Sequence, residues 1–248
     1  MMSRRHDKVG IKQGLRKEWL DKALDLRLAG LSNSEVRDEL IDYMSSRLDS
    51  GARGERGETT TKIAVSMLMN IWGNVSSDIE PLQEKALSLV DVNRTCCHWA
   101  MISAAYPFWY QVSQQTGRLL FLQEHTTKTQ IIQKVRENYG DRSSVIRSAQ
   151  RVVQGFIGLD VLNNVDDCNQ LGHVQPIILD SRCAVLLFES ALYAEREGKL
   201  ALASMRSNPA FFPFQIPIIT SDIVQSESEL IDVNLFAFND ELLKLKGL

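Results

Sequence analysis

Apolar positions recur at the period of a helix through most of this chain. Between residues 11 and 30, Leu15, Trp19, Leu20, Ala23, Leu24, Leu26 and Leu28 line one face, and Gly30 follows as a C-terminal cap. "LSNSEVRDEL" restarts a helix that Ser32 or Ser34 can cap, with Val36, Leu40, Ile41 and Met44 inward. "DSGARGERGETTT", residues 49–61, reads as a mobile loop rich in Gly and charge, and Thr59 to Thr61 offer the next N-cap. Ile63, Ala64, Met67, Leu68 and Ile71 continue in helical register to Gly73-Asn74, and another helix runs from about Pro81 to Val90. Residues 11–92 therefore predict a four-helix bundle with nothing strand-like.

The second part of the chain changes character. A long apolar helix is expected over His98 to Gln115, kinked by Pro107 and broken at Gly117. Residues 118–123 fit strand or helix. "HTTKTQIIQKVRENYG" predicts a helix capped by Thr126 or Thr127 and packed through Ile131, Ile132 and Val135. A second helix follows, and then "LDVLNN" and "HVQPIILD", two β-rich segments around a polar loop with Asp166, Asp167 and Asn169. Helix, turn, helix, strand, loop, strand is the order of a winged helix-turn-helix. From 181 on, a helix through Ala184, Leu187, Phe188, Ala191 and Leu192 precedes the Pro-broken "NPAFFPFQIPII". "LIDVNLFAF" reads as a strand and "NDELLKL" as a closing helix. The expected fold is mainly α: a helical bundle over 1–95, a winged helix-turn-helix over 96–180, and a small α+β region over 181–248.

The helix from about Ser143 to Ile157 carries the sharpest pattern. Val145, Ala149, Val152, Val153 and Phe156 form one apolar stripe. Ser144, Arg147, Ser148, Arg151 and Gln154 form the opposite one, and from Arg142 to Gln154 there is no acid. Such a face meets phosphates and base edges: Arg reads guanine in bidentate fashion, and Ser and a helix N-terminus bind phosphate. Asp141 or Ser143 is placed to cap it, and Lys128 and Lys134 on the preceding helix are set to reach flanking backbone. The expected DNA-binding residues are Lys128, Lys134, Arg142, Ser144, Arg147, Ser148 and Arg151. A solvated amphipathic helix that lacks acids would show the same pattern, and helix-turn-helix domains also bind proteins.

Charge sharpens the division. The 248 residues carry a net charge of −3, which by itself does not point to nucleic acid. Residues 118–160, however, hold seven basic groups against four acids, and 180–248 hold six against ten. A basic middle and an acidic tail imply different partners. Cys96, Cys97, Cys168 and Cys183 make no disulfide framework and are expected as reduced thiols of a cytosolic protein. The N-terminus has no apolar signal core, and no run reaches transmembrane length.

Catalytic patterns are weak. No P-loop motif is present. Cys96, Cys97 and His98 are adjacent and cannot easily turn together to one ion, and Cys168 with His173 lacks further ligands at zinc spacing. "EREGK", residues 195–199, has the Glu-x-Lys of some nucleases but ends a helix. No cofactor and no catalysis are expected.

The order of "LAGLSNSEVRDEL", "ETTTKIAVSMLMNIW", "HWAMISAAYPFWYQVSQQTGRLL", "TTKTQIIQKV" and "DRSSVIRSAQRVVQGFIGLDVL" resembles the BrxA family of the BREX bacteriophage-defence systems, over about residues 15–162. The resemblance implies a non-enzymatic protein that binds double-stranded DNA beside other defence proteins, including a methyltransferase and ATPases. The acidic tail lies outside it and is a candidate contact for such partners. A rival expectation is an assembly subunit whose winged helix binds protein.

Overall fold

The computed structural model describes residues 6, 9–45, 55–165, 169–236 and 240–247. The fold is mainly helical with a small sheet part: eleven α-helices and eight short strands among the described residues. Residues 9–16 precede the first helix as an irregular arm, although Leu15 had been expected inside that helix. Four helices follow: α1 (Lys17–Leu28), α2 (Asn33–Ser45), α3 (Glu55–Trp72) and α4 (Glu80–Ser88). Gly30 sits at φ +77° past the end of α1, where an L side chain would be strained. Ser32 and Glu35 cap α2 reciprocally: the Ser32 N–H donates to Glu35 at 2.8 Å, and the Glu35 N–H donates to Ser32 Oγ at 3.4 Å. The expected loop over 49–61 is corrected from Glu55 on. Thr59–Thr61 lie inside α3, so they are not its cap; residues 46–54 lie outside the described part.

The long helix expected over 98–115 is two helices, α5 (Val90–Ala105) and α6 (Pro107–Leu122). Tyr106 adopts φ −131°, ψ 82°, as a residue before proline tends to leave the α region, and Pro107 starts α6 rather than kinking a continuous rod. Gly117 does not break α6. A Cβ there would lie 1.9 Å from the Pro209 carbonyl oxygen, so glycine lets a 3₁₀ turn at Pro209–Phe211 sit on the helix. Residues 118–122 continue as helix.

Next come β1 (His125–Thr127), α7 (Lys128–Tyr139), α8 (Ser143–Gly158), β2 (Leu162–Val165) and β3 (Gln170–His173). The three strands form one antiparallel sheet in the order β1-β3-β2. Of "HVQPIILD" only His173 belongs to the return strand, as the last residue of β3, and β4 (Ile177–Ile178) pairs instead with β6 (Phe214–Gln215), in parallel. The chain then forms α9 (Ser181–Ala194), β5 (Lys199–Ala201), α10 (Leu202–Arg206), α11 (Ser221–Glu227), β7 (Ile231–Phe236) and β8 (Asp240–Leu245). "NDELLKL" is the strand β8 and not a helix. It pairs with β7 in antiparallel register, Ile231 to Leu245, and buries Leu243 and Leu245. Alternation at period two won over helix propensity because the hairpin partner is adjacent.

One hydrophobic core runs from Ile11 to Leu245. The three expected regions 1–95, 96–180 and 181–248 therefore share it. At its centre α9 buries every residue from Cys183 to Ala194 and packs on α5. Trp99 of α5 stacks on Phe156 of α8 at 5.4 Å and meets Trp109, Phe212 and Phe214 edge-on. No described helix is long and apolar enough to cross a membrane.

Candidate nucleic-acid interface

Two helices and a hairpin position this face. Thr127 caps α7 in a capping box: its Oγ1 accepts from the Gln130 N–H at 3.1 Å, and Gln130 Oε1 accepts from the Thr127 N–H at 2.9 Å. Gly140 ends α7 at φ +79°, its N–H donating to the Arg136 carbonyl, and turns the chain into α8. The N-cap of α8 is Arg142, not Asp141 or Ser143, and it makes no side-chain capping bond. The positive end of the α8 dipole is thus left without a side-chain acceptor.

The expected inner stripe of α8 is correct residue for residue: Val145, Ala149, Val152, Val153 and Phe156 are all fully buried. The outer stripe needs one correction. Ser148 is 5% exposed, and its hydroxyl donates to the Val9 carbonyl at 3.3 Å. The arm of residues 9–16 covers it, so Ser148 cannot meet a ligand without displacing that arm. Ser144, Arg147, Gln150 and Gln154 are exposed, and Arg151 is half-buried.

The cations differ in how far they are already neutralised. On α7, Lys134 pairs with Glu137 at 3.0 Å and Arg136 with Asp141 at 2.5 Å. Among the described residues, Arg147 on α8 reaches only Ser143, through its carbonyl at 3.3 Å and its hydroxyl at 3.2 Å, and Arg142 at the N-cap only the Tyr139 carbonyl at 3.5 Å. Among the described residues Arg142, Arg147, Arg151 and Lys128 have no carboxylate at ion-pair distance. Lys128 opens α7, where the helix dipole disfavours a cation, so its charge does not serve the helix.

The β2–β3 hairpin follows α8. Asn163 and Asn164 are exposed on it, and Leu162 and Leu171 face the core. Gly172 in the central strand is required by crowding, since a Cβ would come within 2.6 Å of Val165 Cγ2. The expected tip residues Asp166 and Asp167, and Cys168 of the considered metal pair, lie outside the described residues. His173 lies 6.1 Å from the Phe212 ring. No group of three or more His, Cys, Asp or Glu among the described residues is arranged to hold a metal. Cys96, Cys97 and His98 are buried, and His98 is engaged by Trp72 and Asp21. Glu197 and Lys199 of "EREGK" pair with each other at 2.7 Å in the turn after α9.

The sequence pattern missed β1, because three residues between two helices carry no periodicity and Thr127 doubles as the α7 cap. It also missed the arm along α8, whose signal was Gly158 on the flank of an amphipathic helix. A second, apolar feature lies elsewhere. An open cleft of about 820 Å³ is lined by Leu120, Phe121, Phe211, Phe212, Phe214 and Ile216, with Phe121 89% exposed. The chain matches no protein-family model, no curated protein and no solved structure.

Proposed function

We propose that residues 107–173 form a winged helix-turn-helix that binds double-stranded DNA, with α8 as the recognition helix and the β2–β3 hairpin as the wing. Helix, strand, helix, helix, strand, strand with the sheet order β1-β3-β2 supports this reading. The observation that carries it is the difference between the two helices. Among the described residues Arg142 at the N-cap of α8 and Arg147 and Arg151 on it have no acidic partner, whereas Lys134 and Arg136 on α7 are paired. Arg142, Ser144, Arg147 and Arg151 are the contacts of α8, and Lys128 reaches flanking phosphate. Lys134 must first release Glu137. The activity is binding without catalysis in a BREX-type phage-defence system, the setting that the resemblance to BrxA implies, and the free thiols of Cys96, Cys97 and Cys183 support a cytosolic location.

A gel shift with random duplex at low salt tests the reading. Binding that is lost on reversing Arg147 and Arg151 supports it; no binding by the wild type at 50 mM salt, about the low end of the usual range, refutes it. The second reading, an assembly subunit that binds protein, is favoured by one observation. The apolar cleft beside Phe121 and Leu122 leaves two large side chains 89% and 80% exposed. The acidic region from 181 on is then a further candidate contact for other defence proteins.

A further inference from the structure

The arm of residues 9–16 runs beside α8 at very short range. Ser148 donates to the Val9 carbonyl, Gly14 lies against Arg151 and Gln154, and Gly155 and Gly158 lie against Leu15. A Cβ on Gly158 would come within 2.3 Å of the Leu15 carbonyl oxygen, and one on Gly14 within 3.1 Å of Gln154 Cβ. Gly158 therefore gives the arm its seat, whereas Gly155 makes room chiefly for the Trp109 ring. Ile11 and Leu15 point inward and are buried, whereas Lys12, Arg16 and Lys17 are exposed. Where the arm enters α1, an open cleft of about 780 Å³ lies between it and the end of α8, lined by Gln13, Arg16, Lys17, Gln154 and Ile157 among others. Gln154 belongs to the same outer stripe as Arg147 and Arg151, so the arm's cations continue that stripe.

The acids nearby are largely engaged. Glu18 faces Arg16 at 3.6 Å, and Asp21 accepts from His98 at 3.0 Å and lies 3.5 Å from Arg94. Asp160 also lines the cleft and has no ion-pair partner among the described residues. Lys12 and Lys17 likewise have no carboxylate at ion-pair distance among the described residues.

We propose that the arm is a second part of the duplex-binding face, with Lys12 and Lys17 taking phosphates of the strand that flanks α8. The inference rests on the DNA-binding reading of α8. A nucleic-acid backbone fits because it presents repeated negative charge along a line, and the cations form a line that begins on one element and continues on another. An acidic residue at either lysine would break it.

The test compares K12E/K17E with R147E/R151E, using a random 20-mer duplex over a salt series. Both lysines are exposed, and Glu at the first position of α1 suits the helix dipole, so the fold should persist and a thermal melt verifies it. Reversal of Arg37 and Lys62, exposed cations of α2 and α3, controls for net charge. We expect K12E/K17E to weaken binding at least about fivefold beyond that control. The slope of log affinity on log salt should become shallower by roughly 0.9 per lost phosphate contact. Full affinity and slope in K12E/K17E, with binding lost in R147E/R151E, overturns the arm's role and leaves the α8 reading standing. Binding unaffected by either pair overturns both.

Discussion

The indole N–H of Trp72 donates to Nδ1 of His98 at 3.0 Å inside the helical core. An indole nitrogen can only donate, so Nδ1 must be unprotonated, and the ring proton sits on Nε2, facing Asp21 at 3.0 Å. His98 is thereby held neutral, and burial pushes its pKa below the usual value for histidine. In the unfolded chain it binds a proton below about pH 6.5. The folded state resists that proton, so stability falls as pH drops through this value. The melting temperature should decline between pH 7.5 and 5.5, and His98→Gln should flatten that slope while lowering stability at pH 7.5. An equally steep slope in the variant would show that another group titrates.

Arg147→Glu with Arg151→Glu should leave the fold intact, because neither side chain has a buried partner and surface changes usually cost within about ±0.5 kcal/mol. Duplex affinity should drop at least about tenfold in a fluorescence-anisotropy titration. Equal affinity with both charges reversed refutes the recognition-helix assignment.

Phe156→Ala should do the opposite. Phe156 is fully buried and touches Trp99, Trp109 and Phe212, with ring centroids at 5.4, 4.8 and 5.5 Å. Truncating a core Phe costs roughly 3–5 kcal/mol. Chemical denaturation should show a loss of this size, and wild-type stability would mean that the faces of α8 are reversed.

Salt dependence separates phosphate contact from other modes. Among the described residues Lys128, Arg142, Arg147 and Arg151 are cations of the α7–α8 face with no carboxylate at ion-pair distance, and each neutralised phosphate contributes a slope of about −0.9. A monomer should show an overall slope of about −3 to −4 from this face. A salt-independent affinity would favour the protein-binding reading. Deleting residues 181–248 is no test of electrostatic repulsion by the tail, because α9 lies in the core against α5.

Half-buried Lys85 and fully buried Glu189 form a pair at 2.7 Å, with Ser228 donating to the same carboxylate oxygen and Lys85 also donating to the Glu227 carbonyl. Glu189 is fully buried, and its other oxygen has no hydrogen-bond partner among the described residues. Lys85→Ala strands that charge and should cost about 3–5 kcal/mol, whereas Lys85→Met with Glu189→Leu should recover much of it. A double-mutant cycle by urea denaturation measures this, and additive losses would argue that the pair is not coupled.

Helical periodicity alone determined α1, α2, α4 and α7 and the buried face of α8, because each buries a stripe that recurs every three to four residues whatever its neighbour. It also gave the two consecutive helices α7 and α8 and the exposure of Arg142 and Arg147. Tertiary structure decided what depends on contacts distant in sequence. Ser148 is inward because the arm, some 139 residues earlier, lies over it. Gly117 stays helical because the turn at Pro209 requires a helix without a Cβ there. Residues 240–245 are a strand because β7 offers a partner, and 181–248 belongs to the core because α9 fills the space beside α5. Local spacing records which side of an element is apolar. Only the folded chain settles what covers that side, and which polar side it covers as well.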